Sequence, residues 1–227
     1  MRVLVIGAHP DDTEFISGGT IALMTERGDD VRYLIVTSGE LGLPPDEQQL
    51  DVRENEQLSA AKILRVQSVE FLREVDGSVM DGLHLRSKIV KTIRTFRPEL
   101  IITHSPNYNL KSVRFSHPDH LAVGRAVLAS VFPGARNPKA YPEHFNNGLG
   151  PWSVPEAWLV GVEKCNHVID ISSQFDTKLS AIQQHHSQMR HFADATVFFR
   201  EWADEIAQCH GLAPGTLAEE FYRMSTI

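Results

Sequence analysis

The stretch that most constrains this chain is Val3-Leu4-Val5-Ile6-Gly7 and the polar turn after it, Ala8-His9-Pro10-Asp11-Asp12-Thr13-Glu14. A β-branched run this short, stopped by glycine, reads as a buried parallel strand. One imidazole and three carboxylates then fall within six residues, His9 to Glu14. In an open α/β sheet, ligands collect just beyond the carboxyl ends of the strands. Carboxylates concentrated there are costly unless a cation joins them, so the opening of the chain already points to a metal.

The rest of the chain alternates strand-like and helix-like segments. Strands are expected at Val31–Val36, Ser68–Leu72, Leu100–Thr103, Ala157–Val162 and His167–Ile171. Helices are expected at Ile16–Arg27, about Asp51–Leu64 (with Leu58, Ala61 and Leu64 at core spacing), Leu83–Phe96 and from His117 to about Leu128. Further helices are expected after Ser172, at about Phe198–His210, and in the tail Thr216–Met224. Leu41–Leu50, with Pro44-Pro45, reads as a surface loop, and the proline- and glycine-rich stretch at about 132–155 as an irregular flap. This alternation predicts an α/β fold: a single domain over 1–227, built as a three-layer sandwich around a mainly parallel sheet.

Composition narrows the partners. A formal charge of −7 with no Lys/Arg block argues against nucleic acid. Two cysteines, Cys165 and Cys209, are too few for a disulfide framework or a thiolate metal cage and read as inert thiols in a reducing, cytoplasmic setting. No run approaches the length of a membrane span. A dinucleotide site is disfavoured by the turn itself: Pro10 lacks an amide, and Asp11 and Asp12 would repel phosphate.

A second polar motif, His117-Pro118-Asp119-His120, opens a helix after another strand exit. Two imidazoles and one carboxylate, here His9, Asp12 and His120, are a standard protein set for catalytic zinc, with iron(II) and cobalt(II) also open. Zinc brings the pKa of a coordinated water to about 7. Asp11 is then the natural general base, and His117, one turn before His120, a partner for the oxyanion or the leaving amine. Together these residues describe a metal-assisted hydrolase acting on a C–N or C–O bond.

These two motifs resemble those of the PIG-L (LmbE-like) N-acetylglucosaminyl deacetylases. The resemblance runs on through Gly18-Gly19-Thr20, Arg53-Glu54-Asn55-Glu56, Ala60-Ala61-Lys62-Ile63-Leu64, and Lys178 with His185-His186-Ser187-Gln188. It implies a Rossmann-like fold and zinc-dependent removal of acetyl groups from amino sugars and related conjugates. It also implies His9, Asp12 and His120 as ligands, Asp11 as base, His117 as oxyanion or acid partner, and Arg53 as a sugar-hydroxyl contact. The partner is then a small amino-sugar-type substrate, with a homo-oligomer left open. Within the same class, cleavage of a larger acyl group from a thiol or antibiotic-type conjugate is the alternative, and a non-catalytic ligand-binding module is the other.

Around this set, Glu14 is expected to orient His9 or Thr13 rather than bind metal, and Asp119 to cap its helix or support a ligand. His104 reads as an ordinary loop histidine, with pocket lining as the alternative. His186 falls on an apolar stripe with Phe175, Leu179 and Ile182 and reads as core, while His185 and Gln188 read as supporting or helix-anchoring residues. Trp152 and Trp158 read as core or flap packing.

Overall fold

The computed structural model describes residues 1–44, 51–111 and 113–227, so the later part of the expected surface loop, 45–50, lies outside the described residues. Seven strands form one sheet: β1 (Arg2–Gly7), β2 (Asp30–Thr37), β3 (Ser68–Glu74), β4 (Leu100–His104), β5 (Glu156–Val160), β6 (His167–Asp170) and β7 (Ala218–Ser225). Their spatial order is β3-β2-β1-β4-β5-β7-β6. The first five pair in parallel, while β7 runs antiparallel to both β5 and β6. The helices are α1 (Asp12–Glu26), α2 (Val52–Ile63), α3 (Leu83–Phe96), α4 (Pro118–Ala129), α5 (Pro142–Asn146), α6 (Phe175–Ile182), α7 (His186–Met189) and α8 (Ala195–Cys209).

The central strands are buried on both faces, and alternation decides which helix layer each residue meets. Val3, Val5, Tyr33, Ile35 and Ile102 pack with Ile21 and Met24 of α1, Ala60 and Ala61 of α2 and Ala181 of α6. Leu4, Ile6, Leu34, Val36 and Ile101 pack with Leu85, Ile89 and Ile93 of α3 and Val123 and Val127 of α4. The result is the expected Rossmann-like three-layer sandwich. From β1 the chain winds outward through β2 to β3, then returns to the other side of β1 as β4. The winding therefore reverses between β1 and β4, whose register Ile6↔Thr103 brings their carboxyl ends together. Such a reversal opens a crevice for ligands.

Four expectations are corrected. The tail is not a helix: Ala218–Ser225 is strand β7, zipped between β5 and β6. Leu217 and Phe221 have helical spacing, but both are buried here from an extended chain whose pairing is non-local. Leu58 is 48 % exposed, because α2 turns Arg53, Gln57, Ala60 and Ala61 inward instead. The helix after Ser172 starts as a 3-10 turn, Ser172–Gln174, and α6 ends at Ile182. The apolar stripe thus stops short of His186, which is exposed, while His185 is fully buried.

The stretch 132–155 does not cover the carboxyl end of the sheet. α4 starts at that end and runs back to the other, where the stretch packs: Trp152 Nε1 donates to Pro98 O just before β4, and Val154 leads into β5. Arg94 of α3, buried, gathers it by donating to the carbonyls of Gly134, Ala135, Asn137, Ala140 and Tyr141. Trp152 and Trp158 both pack against the core.

Candidate active site

The turn after β1 is built by its own carboxylate. Asp12 Oδ2 accepts from the N–H groups of Ala8 (3.0 Å) and His9 (2.8 Å), closing a tight loop at the start of α1. Between them Asp11 has φ 102°, a left-handed conformation for a side-chain-bearing residue. Such backbones cost about 1–3 kcal/mol and persist only where the surroundings impose them. Here Gln57 Oε1 accepts from the Asp11 N–H (2.9 Å), and Arg53 Nη2 donates to Asp11 Oδ2 (2.9 Å). Arg53 also donates to Pro10 O and, at 2.8 Å, to Gly39 O. Gly39, at φ 69°, and Gly42 leave room for this guanidinium: a Cβ on either would stand 2.5 Å from Arg53 Nη1 and push it aside.

His9, Asp12 and His120 converge as expected. His120 Nε2 lies 3.3 Å from His9 Nδ1 and 3.1 Å from Asp12 Oδ1, and His9 Nδ1 lies 3.6 Å from Asp12 Oδ2. Donors bound tetrahedrally to zinc at ordinary bond lengths sit about 3.3–3.6 Å apart, so the spacing of the two imidazoles suits a small ion, with Asp12 turning Oδ1 to His120 and Oδ2 to His9. Behind them, His9 Nε2 faces Asp119 Oδ2 at 3.2 Å and Asp76 Oδ1 at 3.0 Å. Asp119 is oriented by the N–H groups of Gly77 (2.7 Å) and Val79 (3.1 Å), and Asp76 by that of Leu41 (2.9 Å). Asp119 thus supports His9 instead of capping its helix. The cap of α4 is His117, whose Nδ1 accepts from the Asp119 N–H at 3.2 Å. The His117 ring stands edge-on to His9, centroids 4.8 Å apart, and is exposed, with Nε2 left for a ligand.

His104 is not an ordinary loop residue. As the last residue of β4 it is buried at the winding reversal, stacks on His120 (centroids 4.0 Å, 11°) and sets Nε2 3.1 Å from Asp12 Oδ2. Of the two partners expected for Glu14, the structure supplies Thr13. Glu14 accepts from Thr13 Oγ1 (2.9 Å) and Gln57 Nε2 (3.0 Å) and faces His185 Nε2 (3.1 Å), so it is turned away from His9, Asp12 and His120. Arg53, expected to touch sugar, is 4 % exposed, and its guanidinium engages Asp11 and two carbonyls. Asp76 and Gln57 were missed. Asp76 follows β3 at the carboxyl end of the sheet, in an Asp-Gly turn, which was a readable signal. Gln57 gave none.

The charges agree with a cation at this point. Burial works against a charged His9, yet hydrogen bonds to Asp119, Asp12 and Asp76 outweigh it and push the imidazole up to about 12. Carboxylates converging on one imidazole demand positive charge there, which a proton on His9 or a divalent ion satisfies. Burial likewise opposes ionisation of Asp12, but His120 and His104 hold it well below the usual range. Burial, then His120, lowers His104 to about 4, leaving it neutral. Asp11 is pushed up to about 6 by burial, with Arg53 restraining the rise and Asp12 adding to it. Elsewhere, burial and Glu220 push the half-buried Cys165 thiol up to about 12, in keeping with an inert cysteine.

A doubly wound sheet with imidazoles and carboxylates converging at its winding reversal defines a class: α/β proteins with a His/Asp group able to hold a metal ion. Within that class, residues 4–131 match the model of the PIG-L family, described as GlcNAc-PI de-N-acetylase, and the chain belongs to this family. It is similar to the diacetylchitobiose deacetylase of Thermococcus kodakarensis, 32 % identical over 197 residues that cover 82 % of this chain and 70 % of the relative. It is also similar to the probable N-acetyl-α-D-glucosaminyl L-malate deacetylase 2 of Bacillus anthracis, 28 % identical over 91 % of this chain and 89 % of the relative. Among solved structures, the N,N'-diacetylchitobiose deacetylase of Pyrococcus horikoshii with its inhibitor MPG superposes with a TM-score of 0.87. That pair is 27 % identical over 98 % of this chain and 83 % of the other. No helix among the described residues is long and apolar enough to cross a membrane.

Proposed function

We propose that the chain is a metal-dependent N-deacetylase that removes acetyl from an N-acetylglucosamine-type sugar or sugar conjugate, with zinc as the resident ion. The observation that carries this is the approach of His9 Nδ1, the Asp12 carboxylate and His120 Nε2 to one another, with the Asp11 carboxylate on the adjoining residue. The names of its relatives, deacetylases of amino-sugar substrates, supply the substrate class.

His9, Asp12 and His120 hold the ion, which when bound supplies Lewis acidity, acidifying water and polarising a carbonyl. Asp11 accepts the proton of the attacking water, and Arg53 keeps its Oδ2 aimed. His117 donates through Nε2 to the oxygen that gains charge, its Nδ1 being fixed by the Asp119 N–H, and Asp11 passes the proton it took from water to the departing amine. Asp76 and Asp119 hold the His9 ring by its Nε2, so that Nδ1 is the nitrogen that would be offered to an ion.

The test pairs two variants. Asp11→Asn is expected to keep full metal content and lose at least about 100-fold in turnover, because binding the ion and taking the proton are separate tasks. His120→Ala is expected to lose both. Loss of metal from Asp11→Asn would place that carboxylate among the ligands. Full metal content in His120→Ala would break the ligand set.

A further inference from the structure

Behind the turn, away from any surface a substrate can reach, lies a second polar cluster: Thr13, Glu14, Gln57 and His185, each 0 % exposed. A fully buried carboxylate destabilises a fold unless it is fully hydrogen-bonded, and an apolar replacement of the same volume would often serve stability better. The Glu14 carboxylate is engaged on both oxygens, while His185 Nδ1, at the far end of the cluster, has no hydrogen-bond partner among the described residues. His185 Nε2 faces Glu14 Oε2 at 3.1 Å, and Glu14 accepts from Gln57 Nε2 at 3.0 Å on both oxygens. With its amide nitrogen held there, Gln57 presents Oε1 to one group, the backbone N–H of Asp11, at 2.9 Å. That N–H belongs to the residue at φ 102°. Gln57 is therefore an adaptor: it needs a donor at one end for Glu14 and an acceptor at the other for the strained peptide, and a primary amide offers both.

The segment after α6 braces the adaptor from outside. Ser187 N–H and Oγ both donate to Glu56 at 2.7 Å, fixing α2 one residue before Gln57. Gln188 Nε2 donates to Gly42 O at 3.3 Å, fixing the turn that cups Arg53. The His185-His186-Ser187-Gln188 stretch thus bears on both groups that hold Asp11.

We propose that Gln57, locked by Glu14 and His185, is a positioning residue for Asp11: it imposes the left-handed backbone that points the carboxylate at the reacting water. The proposal rests on Asp11 being the general base. It requires that loosening Gln57 misplace the carboxylate, leaving metal and substrate binding in place.

The experiment measures kcat, KM, metal per chain and Tm for Gln57→Ala, Gln57→Glu, Glu14→Gln and the double variant Glu14→Gln/Gln57→Glu, with Asp11→Asn alongside. Gln57→Ala is expected to lose about 10–100-fold in kcat, the scale of a misplacement of order 1 Å, with KM within about twofold and unchanged metal. Gln57→Glu alone sets two carboxylates against each other and is expected to fall as far. In the double variant the new amide donates to the new carboxylate, which still accepts the Asp11 N–H, so kcat is expected to return to within about threefold of the parent. The double variant keeps side-chain volume and answers the question even where Gln57→Ala fails to fold. A double variant no better than Gln57→Glu, or a Gln57→Ala with parental kcat, overturns the proposal while Asp11→Asn stays inactive. Parental turnover in Asp11→Asn would instead overturn the base assignment on which it rests.

Discussion

α2 and α3 are consecutive crossover helices of similar length that bury different chemistry. α3 turns Leu85, Ile89, Val90, Ile93 and Phe96 into the core on its face of the sheet. α2 buries Arg53, Glu54, Glu56 and Gln57 beside Ala60 and Ala61. The first is an amphipathic helix whose placement the hydrophobic effect decides. The second contributes little apolar area, and its polar face is committed to Asp11, Glu14, Ser38 and Ser187. One helix makes the fold and the other makes the site. A helix whose inward face is polar marks where a protein has given up packing for aim.

Substitutions on the two helices sharpen or break this contrast. Ile89→Ala on α3 is expected to have the largest effect, destabilising by about 2–5 kcal/mol through lost transfer energy and a residual cavity, while the folded fraction keeps its specific activity. Urea denaturation with activity normalised to folded protein checks it, and a drop in specific activity would mean that α3 also aims the site. Arg53→Met on α2 is next, with an expected loss of about 10–100-fold in kcat, or about 1.4–2.7 kcal/mol of barrier, and unchanged metal content. If KM rises while kcat holds, Arg53 contacts sugar as the family resemblance implies. Leu58→Ser, on the exposed side of α2, is expected to change stability by less than about 0.5 kcal/mol and turnover not at all. A larger loss of stability would show that this face is covered by a partner.

The same contrast explains what was legible in the sequence. The α3 bounds and the central strands followed from apolar periodicity, and the nearness of His9, Asp12 and His120 from rare residue types crowded into two short motifs. Gln57 was invisible because a glutamine on a helix carries no spacing signal, and its role exists only where α1, α2 and α7 meet. His104 was underrated because its strand ends one residue later than expected, which places it inside the sheet's crevice. His186 was misplaced in the core because α6 stops at Ile182, a break that helical periodicity does not foresee. The tail misled for a related reason: local spacing favoured a helix, and pairing with β5 and β6, more than forty residues away, made it a strand.

The most direct test of the account is metal analysis of the purified protein together with acetate release from N,N'-diacetylchitobiose and N-acetylglucosamine, with and without chelator. The account predicts about one zinc per chain and acetate release that chelation abolishes and zinc restores. Acetate release at the full rate from metal-free protein would contradict it.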